Sequence, residues 1–163
     1  MSFDFVMRKR CLSALFLIAL FFSSCSPTCH QWKLAVIKAD CPAARYAKLY
    51  LPASNTFNGL DAVLMWSNGC LNFTLNALTF CFPNYEGDET RSEVTFSVDD
   101  EMNTFVADRL EGGQSLLLPE EAMRLVVTAL LEQKCVEVTV GRFQTTLIPD
   151  HFDTAYRKFI CPS

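Results

Sequence analysis

The two histidines are the side chains best suited to proton transfer, and one of them has carboxylates beside it. His151 lies next to Asp150 and two residues before Asp153, and a neighbouring carboxylate can orient an imidazole for general acid–base catalysis. The sequence contains no G-x-S-x-G, H-E-x-x-H, P-loop or G-x-G-x-x-G pattern to accompany it. We therefore predict no catalytic residue, and the alternative is a small exported hydrolase that uses His151 or surface carboxylates.

Two short acidic segments are the next candidates for chemistry. Residues 86–89 read EGDE and residues 99–101 read DDE. Such carboxylates hold calcium, or act as a glycosidase pair, when the fold brings them together. Neither segment has the ligand spacing of a known calcium loop, and charged turns between strands are usually solvated. The prediction is therefore no metal and no cofactor.

The eight cysteines lack the spacing of a redox or zinc motif. No C-x-x-C occurs, and Cys29 beside His30 offers only two possible metal ligands. Disulfides are the better explanation in an exported chain. If Cys11 leaves with a signal peptide and Cys25 is modified, six cysteines remain as disulfide candidates, and their connectivity is open: Cys29, Cys41, Cys70, Cys81, Cys135 and Cys161.

The amino-terminal segment has the pattern of a signal peptide. The basic run RKR precedes an apolar run at residues 11–22. A bilayer-spanning helix needs about 20 apolar residues, whereas about a dozen is typical of a signal-peptide core. Met7 directly precedes the basic run, so translation that begins at Met1 or at Met7 would give a complete signal.

The end of this segment resembles the bacterial lipobox. Phe22, Ser23 and Ser24 precede Cys25, and Phe22 stands where the lipobox usually has leucine. The resemblance implies that Cys25 receives a diacylglycerol and becomes the first residue of the mature chain, and two acyl chains suffice for stable membrane anchoring. Ser26 after the cysteine implies sorting to the outer membrane. The alternatives are a soluble secreted or periplasmic protein, with Cys25 as an ordinary thiol, and an uncleaved anchor.

The charge of the chain argues against nucleic acid as a partner. From Cys25 onward, 11 basic and 17 acidic residues give a net charge of −6. Counterion release and attraction to anionic lipid both need clustered lysine and arginine, which the mature chain lacks. The predicted partners are the membrane, through the lipid, and an unidentified envelope protein or surface ligand.

The remaining residues predict one β-rich domain. Strands are expected at residues 33–38, 45–52 and 94–98, and hairpins around Asn68-Gly69 and Gly141-Arg142. The first turn pairs Trp66 with Leu71, and the second pairs Val140 with Phe143. An apolar stripe after Pro119 predicts a helix over residues 119–133. Residues 82–93 are expected to be a polar loop, residues 99–114 are ambiguous, and residues 150–159 form a short helix.

These elements define the predicted organisation. Residues 1–24 are the signal peptide, residues 25–32 the lipidated cysteine and tether, and residues 33–163 a single domain. The fold class is α+β and β-rich, with six to eight antiparallel strands in hairpins, a sandwich- or barrel-like sheet, and one main helix on a sheet face. The predicted function is a non-catalytic binding or scaffolding module tethered to the bacterial envelope.

Overall fold

The structure is a computed structural model that describes residues 30–38, 45–67 and 70–161. Nine strands and two helices make up these residues. The strands are β1 (Lys33–Lys38), β2 (Arg45–Leu51), β3 (Leu60–Ser67), β4 (Cys70–Ala77), β5 (Arg91–Val98), β6 (Glu101–Arg109), β7 (Ser115–Leu117), β8 (Val136–Val140) and β9 (Phe143–Leu147). The helices are α1 (Glu120–Leu131), between β7 and β8, and α2 (Phe152–Ile160), after β9.

All nine strands belong to one antiparallel sheet. Their order is β1-β2-β3-β4-β7-β6-β5-β8-β9, so the short β7 joins a four-stranded part to the part that contains β6, β5, β8 and β9. This confirms the β-rich α+β class, and the strand number exceeds the expected six to eight by at least one. The two strands without a predicted position are β6 and β7, and β6 forms a tight hairpin with β5 through Asp99 and Asp100, at φ 51° and 67°. Two central residues with positive φ are the requirement of a type I′ turn, but the pair is not the usual Asn-Gly.

Both predicted hairpins have the predicted registers. Trp66 lies opposite Leu71 in β3 and β4, and Val140 lies opposite Phe143 in β8 and β9. The turn at residues 68–69 lies outside the described residues. Trp66 is 40% exposed, so the apolar face of the first hairpin leaves the core near its turn.

The loop before β5 is shorter than expected. Strand β5 begins at Arg91, and Phe82, at the other end of the predicted polar loop, is 2% exposed. Phe82 meets the ring of Phe143 edge to face, with 5.2 Å between centroids. Burial of an aromatic side chain therefore shortens the solvated part of this connection.

The helices complete the core on one face of the sheet. Helix α1 begins after Pro119, which precedes the first turn instead of occupying it, and buries Ala122, Val126 and Leu130. It contacts β4 and β8, while α2 contacts β1, β2 and α1. The fully buried aromatic residues come from both helix and sheet: Phe73, Phe96, Phe143, Phe152 and Phe159. No helix among the described residues is long and apolar enough to cross a bilayer.

Strand β9 lies beside the ends of strands from the other part of the sheet. The backbone N–H of Gln144 donates to the carbonyl oxygen of Asn58 at 3.1 Å, just before β3. The indole Nε1 of Trp32, just before β1, donates to the carbonyl oxygen of Ile148 at 2.8 Å. These contacts hold one edge of the sheet near the point at which the chain enters the fold.

Candidate functional site

The predicted lipid-attachment residue, Cys25, lies outside the described residues, together with Phe22, Ser23 and Ser24. The first described residue is His30, five positions after Cys25. The sequence places Trp32 in the tether, but its side chain is only 5% exposed and packs edge to face on Phe152, at 4.9 Å between ring centroids. The folded part therefore includes Trp32, because burial of an indole with its N–H satisfied is a stable arrangement.

Four of the six disulfide candidates are described, and all four are exposed free thiols. Cys70 begins β4, Cys135 precedes β8 and Cys161 follows α2, while the Sγ of Cys81 donates to the carbonyl oxygen of Gly112 at 3.3 Å. No disulfide joins any two of these four. Cys29 and Cys41 lie outside the described residues, so a pairing that involves either of them stays a prediction.

The carboxylate of Asp153 bonds to an arginine and not to the imidazole of His151. His151 is exposed, has a left-handed backbone (φ 60°) and directly precedes α2. The carboxylate of Asp153 accepts a hydrogen bond from Nε of Arg157 at 2.9 Å, one helical turn away. Asp153 thus pairs with arginine rather than with the imidazole, and His151 lines neither of two open clefts elsewhere in the domain.

The two acidic segments lie at opposite ends of β5. Asp88 precedes the strand and Asp99 follows it, so eight strand residues separate them by about 25 Å. A glycosidase pair needs carboxyl groups about 5–10 Å apart. Across the described residues, no three histidine, cysteine, aspartate or glutamate side chains lie close enough together to hold a metal ion.

Each acidic segment is held by local hydrogen bonds. Asp88 accepts bonds from Oγ1 and the backbone N–H of Thr90, at 2.6 and 2.8 Å, and these bonds lower the pKa of its carboxyl group. Asp99 lies 3.1 Å from Nζ of Lys134, which also lies 3.0 Å from Glu132. The bonds to Glu132 and Asp99 raise the pKa of Lys134. Both sets of contacts stabilise turns.

An open cleft of about 530 Å³ surrounds Arg109 at the end of β6. The guanidinium Nη1 donates to the side-chain oxygen of Asn84 and, at 2.8 Å, to the carbonyl oxygen of Glu89. Its Nε is buried and has no hydrogen-bond partner within the described residues. Arg109 therefore fastens the loop before β5 to the end of β6, and only part of its donor capacity is used. No local sequence pattern indicates this role, because Asn84 is 25 residues away from Arg109.

A second cleft, of about 400 Å³, separates α1 from the β5–β6 turn. Its apolar lining comes from Val98, Leu125 and Ala129, and its charged rim includes Lys134 and Asp99. The ion pair between these two rim residues neutralises much of the local charge. The cleft can accept a small, partly apolar group, and its described lining residues include no histidine and no cysteine.

No family model, curated protein or solved structure shows a significant match to the chain.

Proposed function

We propose that the protein is a lipid-anchored, non-catalytic binding module of the bacterial envelope, with Cys25 as the first residue of the mature chain. The lipobox-like Phe22-Ser23-Ser24-Cys25 supports the anchor, and Ser26 supports the outer membrane as its location. The folded domain is the part that would bind an envelope protein or a surface ligand.

The observation that carries this proposal is the position of Trp32. This side chain is buried in the folded domain and lies seven residues after Cys25 in the sequence. Seven extended residues span at most about 25 Å. A lipid on Cys25 would therefore hold the domain close to the bilayer, as suits a protein that acts on the membrane surface.

The clefts are consistent with binding rather than with acid–base catalysis. The polar groups of the Arg109 cleft are partly engaged with Asn84 and Glu89, and the rim of the second cleft carries the Lys134–Asp99 ion pair. Open clefts that combine a few polar groups with apolar lining suit the recognition of a partner surface or a small ligand.

Metabolic labelling with radioactive palmitate tests the anchor. The full chain, Cys25→Ser and Cys29→Ser would each be expressed in a bacterial host that lipidates exported proteins. We expect label in the wild-type chain and in Cys29→Ser, because only the lipobox position is acylated. Cys25→Ser should carry no label. Label that persists in Cys25→Ser, or a wild-type chain without label, would refute the lipid anchor.

In-cell cross-linking tests the binding role. The lipidated chain would be cross-linked in intact cells and purified under denaturing conditions, with Cys25→Ser as the control. We expect a discrete cross-linked adduct that depends on Cys25, since anchoring raises the local concentration of envelope partners. An adduct pattern that is identical for both chains would argue against a partner at the membrane.

A further inference from the structure

We infer that one end of the domain, the apolar end formed by Phe57, Leu78 and Phe80, lies against the lipid bilayer. The inference rests on the proposed lipid anchor at Cys25, and it adds an orientation and a second membrane contact. The apolar end would contact the membrane at the boundary between the headgroups and the acyl chains.

The apolar end consists of three large, exposed apolar side chains. Phe57 is 73% exposed, Leu78 47% and Phe80 46%. They come from two loops, before β3 and after β4, and the hydroxyl of Thr79 joins these loops by donating to the carbonyl oxygen of Phe57 at 3.0 Å. Clustered exposed apolar side chains mark interaction sites, whereas single ones are ordinary.

The loops that carry the apolar end contact β9 and the turn between β8 and β9. The guanidinium carbon of Arg142, in the turn between these strands, lies 4.1 Å from the ring centroid of Phe80. The carbonyl oxygen of Asn58, the residue after Phe57, accepts from the backbone of Gln144 in β9. The exposed rings are therefore carried by loops that are held against the sheet.

The apolar end lies near the point at which the chain enters the fold. Nε2 of His30 lies 3.4 Å from the carbonyl oxygen of Thr146, and Asn58 bonds to Gln144 on the same strand. Two residues along a strand correspond to about 7 Å. Cys25 is five residues before His30, a reach of at most about 18 Å. A lipid on Cys25 can therefore reach a bilayer that contacts the apolar end.

The chemistry of the apolar end fits a bilayer better than a second copy of the chain. Phenylalanine and leucine insert at the membrane interface, and an arginine such as Arg142 keeps its charge in the headgroup layer while its stem lies along apolar surface. A stable protein interface takes about 20–30 residues from each partner, and the apolar end offers three. The net charge of −6 makes apolar insertion, rather than attraction to anionic lipid, the means of contact.

The test uses tryptophan fluorescence in vesicles that carry the lipidated full chain. Phe57→Trp and Met102→Trp would each be made in a Trp66→Phe background, which leaves Trp32 as a common signal. Met102 is the matched control, because it is 71% exposed and lies in β6, opposite Ser97 and next to the β5–β6 turn. The vesicles are phosphatidylcholine, with or without bromine on the acyl carbons nearest the headgroup, and flotation first isolates the bound protein.

In the Phe57→Trp variant, the introduced tryptophan adds fluorescence to that of Trp32. We expect bromine to quench this added fluorescence by at least about twofold, because interfacial side chains lie about 5–10 Å into the headgroup boundary. The additional signal of the Met102→Trp variant should be unchanged. Bound protein in which neither position is quenched would overturn the membrane contact and leave the lipid anchor intact. Protein that does not float would overturn both proposals. A third outcome is that bromine does not quench the tryptophan at position 57, and that this tryptophan becomes shielded from solvent as the protein concentration rises. That result would assign the apolar end to contact with a second copy of the chain and would also overturn the inference.

Discussion

Trp32 and Ile148 join the first described segment of the chain to the end of β9, 116 residues later. The indole N–H donates to the carbonyl oxygen of Ile148 at 2.8 Å, and the ring packs against Phe152. This contact holds Trp32, seven residues after Cys25, within the folded domain, so it connects the stability of the fold to its proposed position at the membrane.

Removal of the Trp32 hydrogen bond should destabilise the domain. We expect Trp32→Phe to lower the free energy of unfolding by about 1–3 kcal/mol, because the part-buried carbonyl of Ile148 loses its donor. Trp66→Phe is the matched control, since Trp66 is 40% exposed, and it should change stability by less than about 0.5 kcal/mol. Urea unfolding followed by circular dichroism measures both, and equal effects would contradict the role given to Trp32.

Gly59 should tolerate no side chain, because the backbone leaves no room for one. A Cβ at this position would overlap the carbonyl oxygen of Asn55, to which the Gly59 N–H also donates. Gly59→Ala should therefore destabilise the domain by about 3 kcal/mol, near the upper range for overpacking. Gly112→Ala is the control, because it has φ +86° and open space around it, and it should cost about 1 kcal/mol of backbone strain. Thermal and urea unfolding that ranked these variants in the reverse order would contradict the described loop.

Replacement of Asp100 in the β5–β6 turn by glycine should stabilise the domain. The φ of 67° at this position is strained for an aspartate and free of strain for glycine. We expect Asp100→Gly to raise the free energy of unfolding by about 0.5–1 kcal/mol. Glu101→Gly, one residue further and inside β6, should lower it by a similar amount. Destabilisation by Asp100→Gly, measured by urea unfolding, would argue against the type I′ turn.

The carboxyl group of Asp88 should titrate below its ordinary pKa, chiefly because of the hydrogen bond from the Thr90 hydroxyl. A pKa that is lower in the folded state gives stability that is present above the unfolded-state pKa, and that is lost as the pH falls through the folded-state pKa. Thr90→Val should raise the pKa of Asp88, measured by NMR titration of its side-chain carbonyl carbon. The same variant should weaken the loss of stability in acid, and an unchanged pKa would show that Thr90 is not the cause.

Local sequence patterns predict the two hairpins. They do not predict the features of the fold that depend on contacts between distant residues. The registers of Trp66 with Leu71 and of Val140 with Phe143 follow from turn position and alternation within a few residues. Strand β6 is ambiguous in the sequence because its outward face includes Met102, which looks like a core residue but is 71% exposed. The hydrogen bond from the Thr79 hydroxyl to the carbonyl oxygen of Phe57 joins the loops before β3 and after β4. The spacing of apolar residues in the sequence does not predict this contact.

The predicted helix boundaries differ from the structure by one or two residues, which reflects competing signals at helix ends. Pro119 suits the first helical position, yet it precedes the helix, and α1 ends at Leu131 before Gln133, whose φ is 63°. The lipid-attachment motif is a different kind of prediction. It depends on recognition of Cys25 by processing enzymes, and the burial of Trp32 bears only on how close a lipid on Cys25 would hold the domain to the bilayer.

The most direct test of the account is the intact mass of the native protein extracted from membranes with detergent. We predict a mature chain that begins at Cys25 and carries the added mass of a diacylglycerol, with an amino-terminal peptide that holds the modification on that residue. An unmodified Cys25, or a chain that begins at another residue, would contradict the lipid anchor.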